Sequence, residues 1–86
     1  MFHIVEHVCA LPNFKLRVFF AEGIIKIYDM APLISMIPAF AKLEDNPSEF
    51  LNVEVDIGGH GILWSDNLDL SSEELWENGI IVKAQA

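Results

Sequence analysis

The stretch Phe14–Tyr28, FKLRVFFAEGIIKIY, decides the fold. Its first half alternates apolar residues with Lys15 and Arg17, which is the period-two pattern of a half-buried β-strand. Ala21-Glu22-Gly23 follows as a turn in which Gly23 supplies the positive φ angle, and the chain returns through Ile24–Tyr28. The stretch therefore predicts two antiparallel strands joined by a tight turn.

The register of these two strands depends on the length of their loop. A two-residue loop at Glu22-Gly23 sets Phe20 opposite Ile25 and Val18 opposite Ile27, so that the apolar residues of both strands share one face. A three-residue loop sets Val18 opposite Lys26 instead, and we therefore expect the two-residue loop. The other face then carries a mixed apolar and basic strip that a later helix or a second subunit could cover, formed by Phe19, Ile24, Tyr28, Arg17 and Lys26.

The remaining elements lie before and after this hairpin. Ile4–Ala10 is a strand candidate that Leu11-Pro12-Asn13 ends, Val53–Ile57 alternates in the same way, and Ile62–Trp64 begins the last strand. Asp29 and Asn46 are expected to cap two short helices, with Pro38 ending or bending the first and a loop or single turn over Phe40–Leu43. The predicted order is β-β-β-α-β-β-α in a single α+β domain, residues 1–86, with a small, mostly antiparallel sheet and short helices packed on it.

The acidic segment Gly61–Trp76, GILWSDNLDLSSEELW, has two interpretations. A calcium loop starting at Asp66 needs oxygen ligands at its third and fifth positions, which Leu68 and Leu70 occupy instead. A helix start fits better, because Ser71 matches the N-cap and Glu74 the third helical position of a capping box. We therefore expect these acids to form a turn and a cap rather than a metal site.

The charge of the chain bounds its partners. The formal net charge is −8, and there are only five Lys and Arg residues. Phosphate groups repel such a surface, so we expect no direct nucleic-acid binding and no binding to anionic membranes. A basic partner protein is favoured, because opposite charges speed association. The longest apolar run, Met30–Ala41, contains two prolines and is shorter than the about 20 residues of a membrane span.

The apolar content predicts a contact surface. Hydrophobic residues make up 52% of the chain before its glycines are counted, whereas typical domains reach about 45–50% with glycine included. This surplus most simply predicts a homodimer interface. The candidate interface or ligand-lining residues are Arg17, Phe19, Tyr28, Trp64 and Trp76. Cys9 is the single cysteine and no secretory signal is visible, so we expect a cytoplasmic protein.

No residue pattern predicts a catalytic site, a metal site or a cofactor. His3 and His7 share one face of the first strand, but about 13 Å separates them, too far for one zinc ion. His7 and Cys9 alone are too few ligands, and a strand holds their side chains parallel rather than converging. Gly58-Gly59-His60-Gly61 lacks the lysine and hydroxyl residue of a phosphate loop. The sequence therefore favours a protein without enzymatic activity.

Three motifs together carry a resemblance to a known family. They are Leu11–Gly23 with its LPNF start and final glycine, Tyr28-Asp29-Met30 with Leu33, and Trp64–Leu75 with Asp69 and Leu70. In this combination the chain resembles the small bacterial domain-of-unknown-function family 2442, over roughly residues 4 to 78. Glu22 replaces the usual Asp before the glycine, and Ser65-Asp66-Asn67-Leu68 replaces the usual turn of the last motif.

The resemblance implies a β-β-β-α-β-β-α domain that occurs alone or ahead of a helix-turn-helix DNA-binding domain, with no established catalytic residues. The free forms are often encoded beside another small protein, as toxin–antitoxin pairs are. We therefore expect a regulatory or protein-interaction module, of which the acidic partner in such a pair is one form. The alternative is a small-ligand sensor whose pocket lies between two subunits and is lined by Trp64, Trp76 and Tyr28.

Replacing Ser71 with Ala tests the cap in the acidic segment. We expect it to lower the free energy of unfolding by about 1 kcal/mol, because an N-cap hydroxyl satisfies one backbone N–H of the helix start. Urea unfolding of both proteins measures the difference. Unchanged stability, together with a melting temperature that a divalent cation raises, would contradict the cap and support a metal site.

Overall fold

A computed structural model describes residues 3–65 and 67–82, which form two antiparallel sheets and four short α-helices. The strands are β1 Val5–Leu11, β2 Lys15–Phe20, β3 Ile25–Asp29, β4 Glu54–Val55, β5 Gly61–Ser65, β6 Leu68–Ser71 and β7 Ile80–Ile81. The helices are α1 Ala31–Met36, α2 Pro38–Asp45, α3 Pro47–Phe50 and α4 Ser72–Asn78, and a 3₁₀ turn covers Ile57–Gly59. The predicted α+β class and the strand-strand-strand-helix start are confirmed.

The larger sheet has the order β1-β2-β3-β7, and the smaller sheet has the order β4-β5-β6. In the central strand β2, Leu16, Val18 and Phe20 are buried, as the alternation predicts. A bulge interrupts the pairing of β1 with β2 between Val5 and His7. It allows Val5 and Val8, which are three residues apart, both to face the core.

One hydrophobic core joins the two sheets and the helices. Beside the β2 residues it includes Ile34 of α1, Phe40 and Leu43 of α2, Phe50 of α3, Ile62 and Trp64 of β5, and Leu75 of α4. The helices thus cover one face of the larger sheet, while the smaller sheet closes the same core. None of the described helices has the length and apolar content needed to cross a membrane.

The expected register of β2 and β3 is wrong. Val18 pairs with Lys26, and Phe19 pairs with Ile25. The Phe20 N–H donates to the Ile24 carbonyl at 2.8 Å, which leaves Ala21-Glu22-Gly23 as a three-residue loop with Gly23 at φ +83°. A turn followed by a left-handed glycine is a common way to close a hairpin of this length. Tyr28, Lys26 and Ile24 consequently lie on the core side, and Ile25 and Ile27 lie on the opposite face.

The middle of the chain is more helical than expected. The first helix ends at Met36, two residues before Pro38, as predicted. Pro38 also begins α2, since a proline in the first turn lacks only an N–H that the helix would leave unpaired. Residues 40–43, expected as a loop or a single turn, belong to that helix. At the other end of the chain, Ile80 and Ile81 form a strand that pairs with Ile27 and Lys26.

The turn between β1 and β2 holds two residues in left-handed backbone conformations. Asn13 has φ 64° and Phe14 has φ 57°, and a bulky residue rarely adopts such an angle. The Phe14 carbonyl accepts a hydrogen bond from the Met30 N–H at 3.0 Å, and its ring meets the Phe50 ring edge-on at 5.2 Å. These contacts hold the LPNF motif in its strained turn.

Two glycines with positive φ angles form a matched pair for mutation to Ala. At Gly23, φ +83°, an added Cβ meets no atom within 4 Å, whereas at Gly59, φ +74°, it would lie 2.5 Å from the Val5 carbonyl oxygen. We expect Gly23→Ala to cost roughly 1–2 kcal/mol for the left-handed backbone, and Gly59→Ala to cost more because β1 must also move. Urea unfolding measures both losses, and equal losses would contradict the close approach of the Gly59 backbone to β1.

Candidate functional site

The register places one set of side chains on the face of the larger sheet that points away from the core. One row across the sheet runs His7, Phe19, Ile25 and Val82, and the next runs Cys9, Arg17, Ile27 and Ile80. Val82 joins the first row because its N–H donates to the Ile25 carbonyl at 2.8 Å. We call these eight residues, together with Lys15, the open face.

The open face is uncovered within the described part of the chain. Arg17 is exposed, Ile80 is 74% exposed and Val82 is 42% exposed, while Phe19, Ile25 and Ile27 are half-buried. The apolar residues of the helices pack on the opposite side of the sheet. The open face is therefore an apolar surface in contact with solvent.

The charge of the open face differs from that of the whole chain. Two of the five Lys and Arg residues, Lys15 and Arg17, lie on it, and Asp29 stands beside Lys15 at its margin. The chain as a whole carries a formal charge of −8. The open face is thus a locally basic and apolar area on an acidic protein.

His7 and Cys9 approach each other on this face. The Cys9 Sγ lies 3.2 Å from the His7 Nε2, and the His7 ring lies 5.3 Å from the Phe19 ring. The expectation that the strand would hold the two side chains parallel is therefore wrong, because rotation about their side-chain bonds brings them together. Among residues 3–65 and 67–82, no three His, Cys, Asp or Glu side chains are grouped so that they could hold a metal ion.

A pocket of about 370 Å³ lies at the edge of the larger sheet, where β3 continues beyond the end of β7. We call it the edge pocket. Ile27, Ile80, Pro32 and Leu33 form its apolar wall. Its polar wall consists of Lys15, Tyr28, Asp29, Glu74 and Asn78.

A hydrogen-bond network organises the polar wall. The Tyr28 hydroxyl donates to Glu74 Oε2 at 2.8 Å, and Asn78 Nδ2 donates to the same oxygen at 2.9 Å. Burial raises the pKa of Tyr28 above its ordinary value, and the Glu74 carboxylate, by hydrogen bond and charge, raises it further. Tyr28 therefore remains a neutral hydrogen-bond donor at physiological pH.

The two tryptophans lie apart from both the open face and the edge pocket. Trp64 is buried, and its Nε1 donates to the Phe50 carbonyl at 3.1 Å. Trp76 stacks on His3, with ring centroids 3.7 Å apart, and Lys26 Nζ lies 4.1 Å from the Trp76 ring centroid. Trp64, Trp76 and Tyr28 are therefore not brought together in one pocket of this chain.

His3 connects the start of the chain with α4. Its backbone N–H donates to Glu73 Oε1 at 2.9 Å, and its Nδ1 lies 2.8 Å from Glu22 Oε2. The hydrogen bond to His3 lowers the pKa of the Glu22 carboxyl. These contacts anchor the residues before β1 on both the hairpin turn and the last helix.

The four predicted cap residues take different roles. Ser71 Oγ accepts a hydrogen bond from the Glu74 N–H at 3.1 Å, whereas the Glu74 carboxylate turns to Tyr28 and Asn78. Asp29 Oδ1 accepts from the Ala31 N–H at 2.9 Å, although Met30 holds the N-cap position. Asn46 occupies the N-cap of α3 without a side-chain cap bond, and its amide donates to the Lys42 carbonyl at 3.4 Å instead. Asp66 lies outside the described residues.

The functional candidates missed in the sequence were mainly apolar. Ile25, Ile27 and Val82 join the open face because the hairpin has a three-residue loop. Asn78 joins the edge pocket because α4 places it one turn after Glu74. The run Ile80-Ile81-Val82 after a helix-ending glycine was the signal that could have revealed the fourth strand.

Comparison with protein families gives one relevant match. The model of the family described as "Protein of unknown function (DUF2442)" matches residues 5–80. This match confirms the resemblance drawn from the three sequence motifs. None of the curated proteins matches the chain.

A solved structure from Nitrosomonas europaea ATCC 19718, described as a "Putative DNA Binding Protein", is similar to the chain. The two share 23% sequence identity with a TM-score of 0.69, and the match covers 86% of this chain and 46% of that chain. At this identity the likeness shows the fold alone, and the chain spans less than half the length of that protein.

This likeness corrects the predicted partners. The prediction that this chain does not bind nucleic acid directly is wrong, because net charge does not exclude it: a protein that shares the fold is described as DNA-binding. The physical reason is that net charge sums over the whole surface, whereas association depends on local charge. The expected basic partner rested on the same net charge, but the uncovered apolar surface carries Lys15 and Arg17.

Tyr28 allows a direct test of the edge-pocket network, because it is the single tyrosine of the chain. We expect tyrosinate absorbance to appear at higher pH in the folded protein than in the urea-unfolded protein, in which the Tyr28 hydroxyl has a pKa of about 10. A folded-state pKa above the unfolded value means that Tyr28 stabilises the fold below about pH 10 and loses this contribution as pH rises further.

Glu74→Gln supplies the control for this titration. The amide still accepts the hydrogen bond but removes the charge, so the folded-state midpoint should move down. Circular dichroism at each pH separates titration from alkaline unfolding. Equal midpoints in the folded and unfolded wild type would contradict the buried Tyr28–Glu74 bond.

Proposed function

The chain belongs to the protein family of unknown function DUF2442, and we propose that it is a cytoplasmic regulatory module that binds a partner protein through the open face. The observation that carries the proposal is the set of apolar side chains that the described residues leave uncovered on this face. Contiguous apolar surface of this kind is characteristic of contact sites, because burying it against a partner removes it from water.

The charges of the open face define the surface that would fit it. Arg17 lies within one of the rows and Lys15 lies beside it at the next position, so the complementary surface is apolar and carries carboxylates opposite these two cations. A homodimer formed by two-fold pairing of this face would bury the same two cations from each copy in one interface without an opposing carboxylate from the described residues at its centre, which disfavours a second copy as the occupant. An antitoxin-like role, in which this chain neutralises a second small protein, is one form of the proposed function.

A second candidate function is direct contact with nucleic acid through the same face. Arg17 and Lys15 provide cations there, and Phe19 provides a ring on which a base could stack. The description of the Nitrosomonas europaea protein as DNA-binding supports this candidate, although the matched region is only 46% of that protein. The expected alternative, a small-ligand sensor with a pocket lined by Trp64, Trp76 and Tyr28, lacks support from the two tryptophans, which line neither the open face nor the edge pocket.

Capture from native lysate tests the proposal when it is done with a charge-matched control. Tagged wild type, Arg17→Glu and Lys42→Glu are each used as bait, with nuclease treatment in a parallel set. Lys42 lies on α2, and its replacement changes the net charge equally without touching the open face. We expect a protein that wild type and Lys42→Glu retain after nuclease treatment and that Arg17→Glu loses about tenfold or more, as expected when a buried charged contact is reversed.

The other outcomes are also decisive. A partner that all three baits retain equally would contradict binding through the open face. Capture that disappears on nuclease treatment would favour the nucleic-acid candidate. Sedimentation of the purified chain alone, with Phe19→Ser as the variant, shows whether a second copy occupies the face.

A further inference from the structure

The edge pocket exists because two neighbouring strands differ in length. The β7 ladder holds only two residues, Ile80 and Ile81, whereas β3 continues to Asp29. The backbone groups of Ile25 and Ile27 point toward β7, since antiparallel pairing alternates every second residue. By the same alternation the N–H and C=O of Asp29 point toward this edge, beyond the end of β7.

Among the described residues, the two carboxylates that line the pocket each accept hydrogen bonds at only one of their two oxygens. Both hydrogen bonds to Glu74 reach Oε2, and the one hydrogen bond to the Asp29 side chain reaches Oδ1. Within the described part of the chain, Glu74 Oε1 and Asp29 Oδ2 therefore accept no hydrogen bond. An oxygen of a fixed carboxylate is an acceptor that needs no reorganisation to bind a donor.

The charge balance of the pocket favours a cation. Asp29 and Glu74 contribute two negative charges and Lys15 one positive charge, on a chain of formal charge −8. No salt bridge joins Lys15 to either carboxylate within residues 3–65 and 67–82, so neither carboxylate is neutralised by direct contact. These three side chains together carry a charge of −1, which a ligand with one positive charge would neutralise. Several N–H donors on that ligand could bind the carboxylate oxygens.

The apolar wall defines the rest of the ligand. Ile27 and Ile80 of the sheet and Pro32 and Leu33 of α1 supply this wall. A volume of about 370 Å³ is at the small end of ligand pockets, so it suits an aliphatic chain of a few carbons. We propose that the edge pocket binds a primary alkylammonium group, with the ammonium at Asp29 and Glu74 and the alkyl chain against the apolar wall.

Two sources carry this group, namely a small free amine and the side chain of a lysine in a peptide. Titration of the isotope-labelled full chain by NMR at neutral pH distinguishes them, with pentylamine and Nα-acetyl-lysine amide as the probes. Pentanol and pentanoate have the same alkyl chain with a neutral or an anionic head. We expect saturable shifts at Tyr28, Glu74 and Asn78 with an amine, about tenfold weaker binding of pentanol, and no saturable binding of pentanoate.

The variants separate the pocket from the general charge of the chain. Glu74→Gln and Asp29→Asn should each weaken amine binding about tenfold, because each removes one charged acceptor. Glu77→Gln is the matched control, since it lies on the same helix, carries the same charge change and does not line the pocket. Melting curves confirm that each variant is folded.

Three results would overturn the proposal. The first is binding of pentanol as tight as that of pentylamine, and the second is equal weakening by Glu74→Gln and Glu77→Gln. The third is shifts that map away from the pocket. If Nα-acetyl-lysine amide binds more tightly than pentylamine, the source of the ammonium group is a lysine in a peptide. If pentylamine binds more tightly, the source is a free amine. Arg17→Glu replaces no residue that lines the pocket and adds negative charge beside it, so it should not weaken amine binding.

Discussion

The three-residue turn Ala21-Glu22-Gly23 fixes the register of β2 and β3, and that register assigns every side chain of the hairpin to one face of the sheet. Tyr28 reaches the core side and meets Glu74 because of it, and Ile25 and Ile27 reach the open face for the same reason. A shift of one residue would exchange the two sets. The edge pocket and the open face are thus two consequences of one turn.

The register also requires the core side to accept a lysine. Lys26 stands opposite Val18 on that side, where an apolar residue would be expected. Its long side chain reaches the edge of the core, where Nζ lies over the Trp76 ring and donates to the Trp76 carbonyl. The aliphatic part of the Lys26 side chain is partly buried, and its ammonium group contacts an aromatic ring and a carbonyl. The unfavourable free energy of placing a lysine there is therefore small.

The sequence was sufficient for the features that depend on neighbouring residues. The alternation in β2 identified the buried set of Leu16, Val18 and Phe20, and the Ser71 cap followed from its immediate context. It was insufficient where the outcome depends on distant contacts. Glu74 meets Tyr28, 46 residues away, instead of completing the capping box, and Trp64 and Trp76 enter different aromatic clusters. A loop one residue longer than expected was enough to change the members of the open face.

The contact of His3 with α4 has a consequence for the order in which the domain is completed. His3 bonds to Glu73, 70 residues away, and stacks on Trp76 in the last helix. A ribosome makes these partners about 70 residues after His3, so the start of the first strand stays uncovered until α4 has been made. Phe20 also lacks part of its packing until then, because its ring meets the Trp76 ring edge-on. The domain therefore acquires its complete core only after α4 has been synthesised, because local contacts alone do not cover the start of β1.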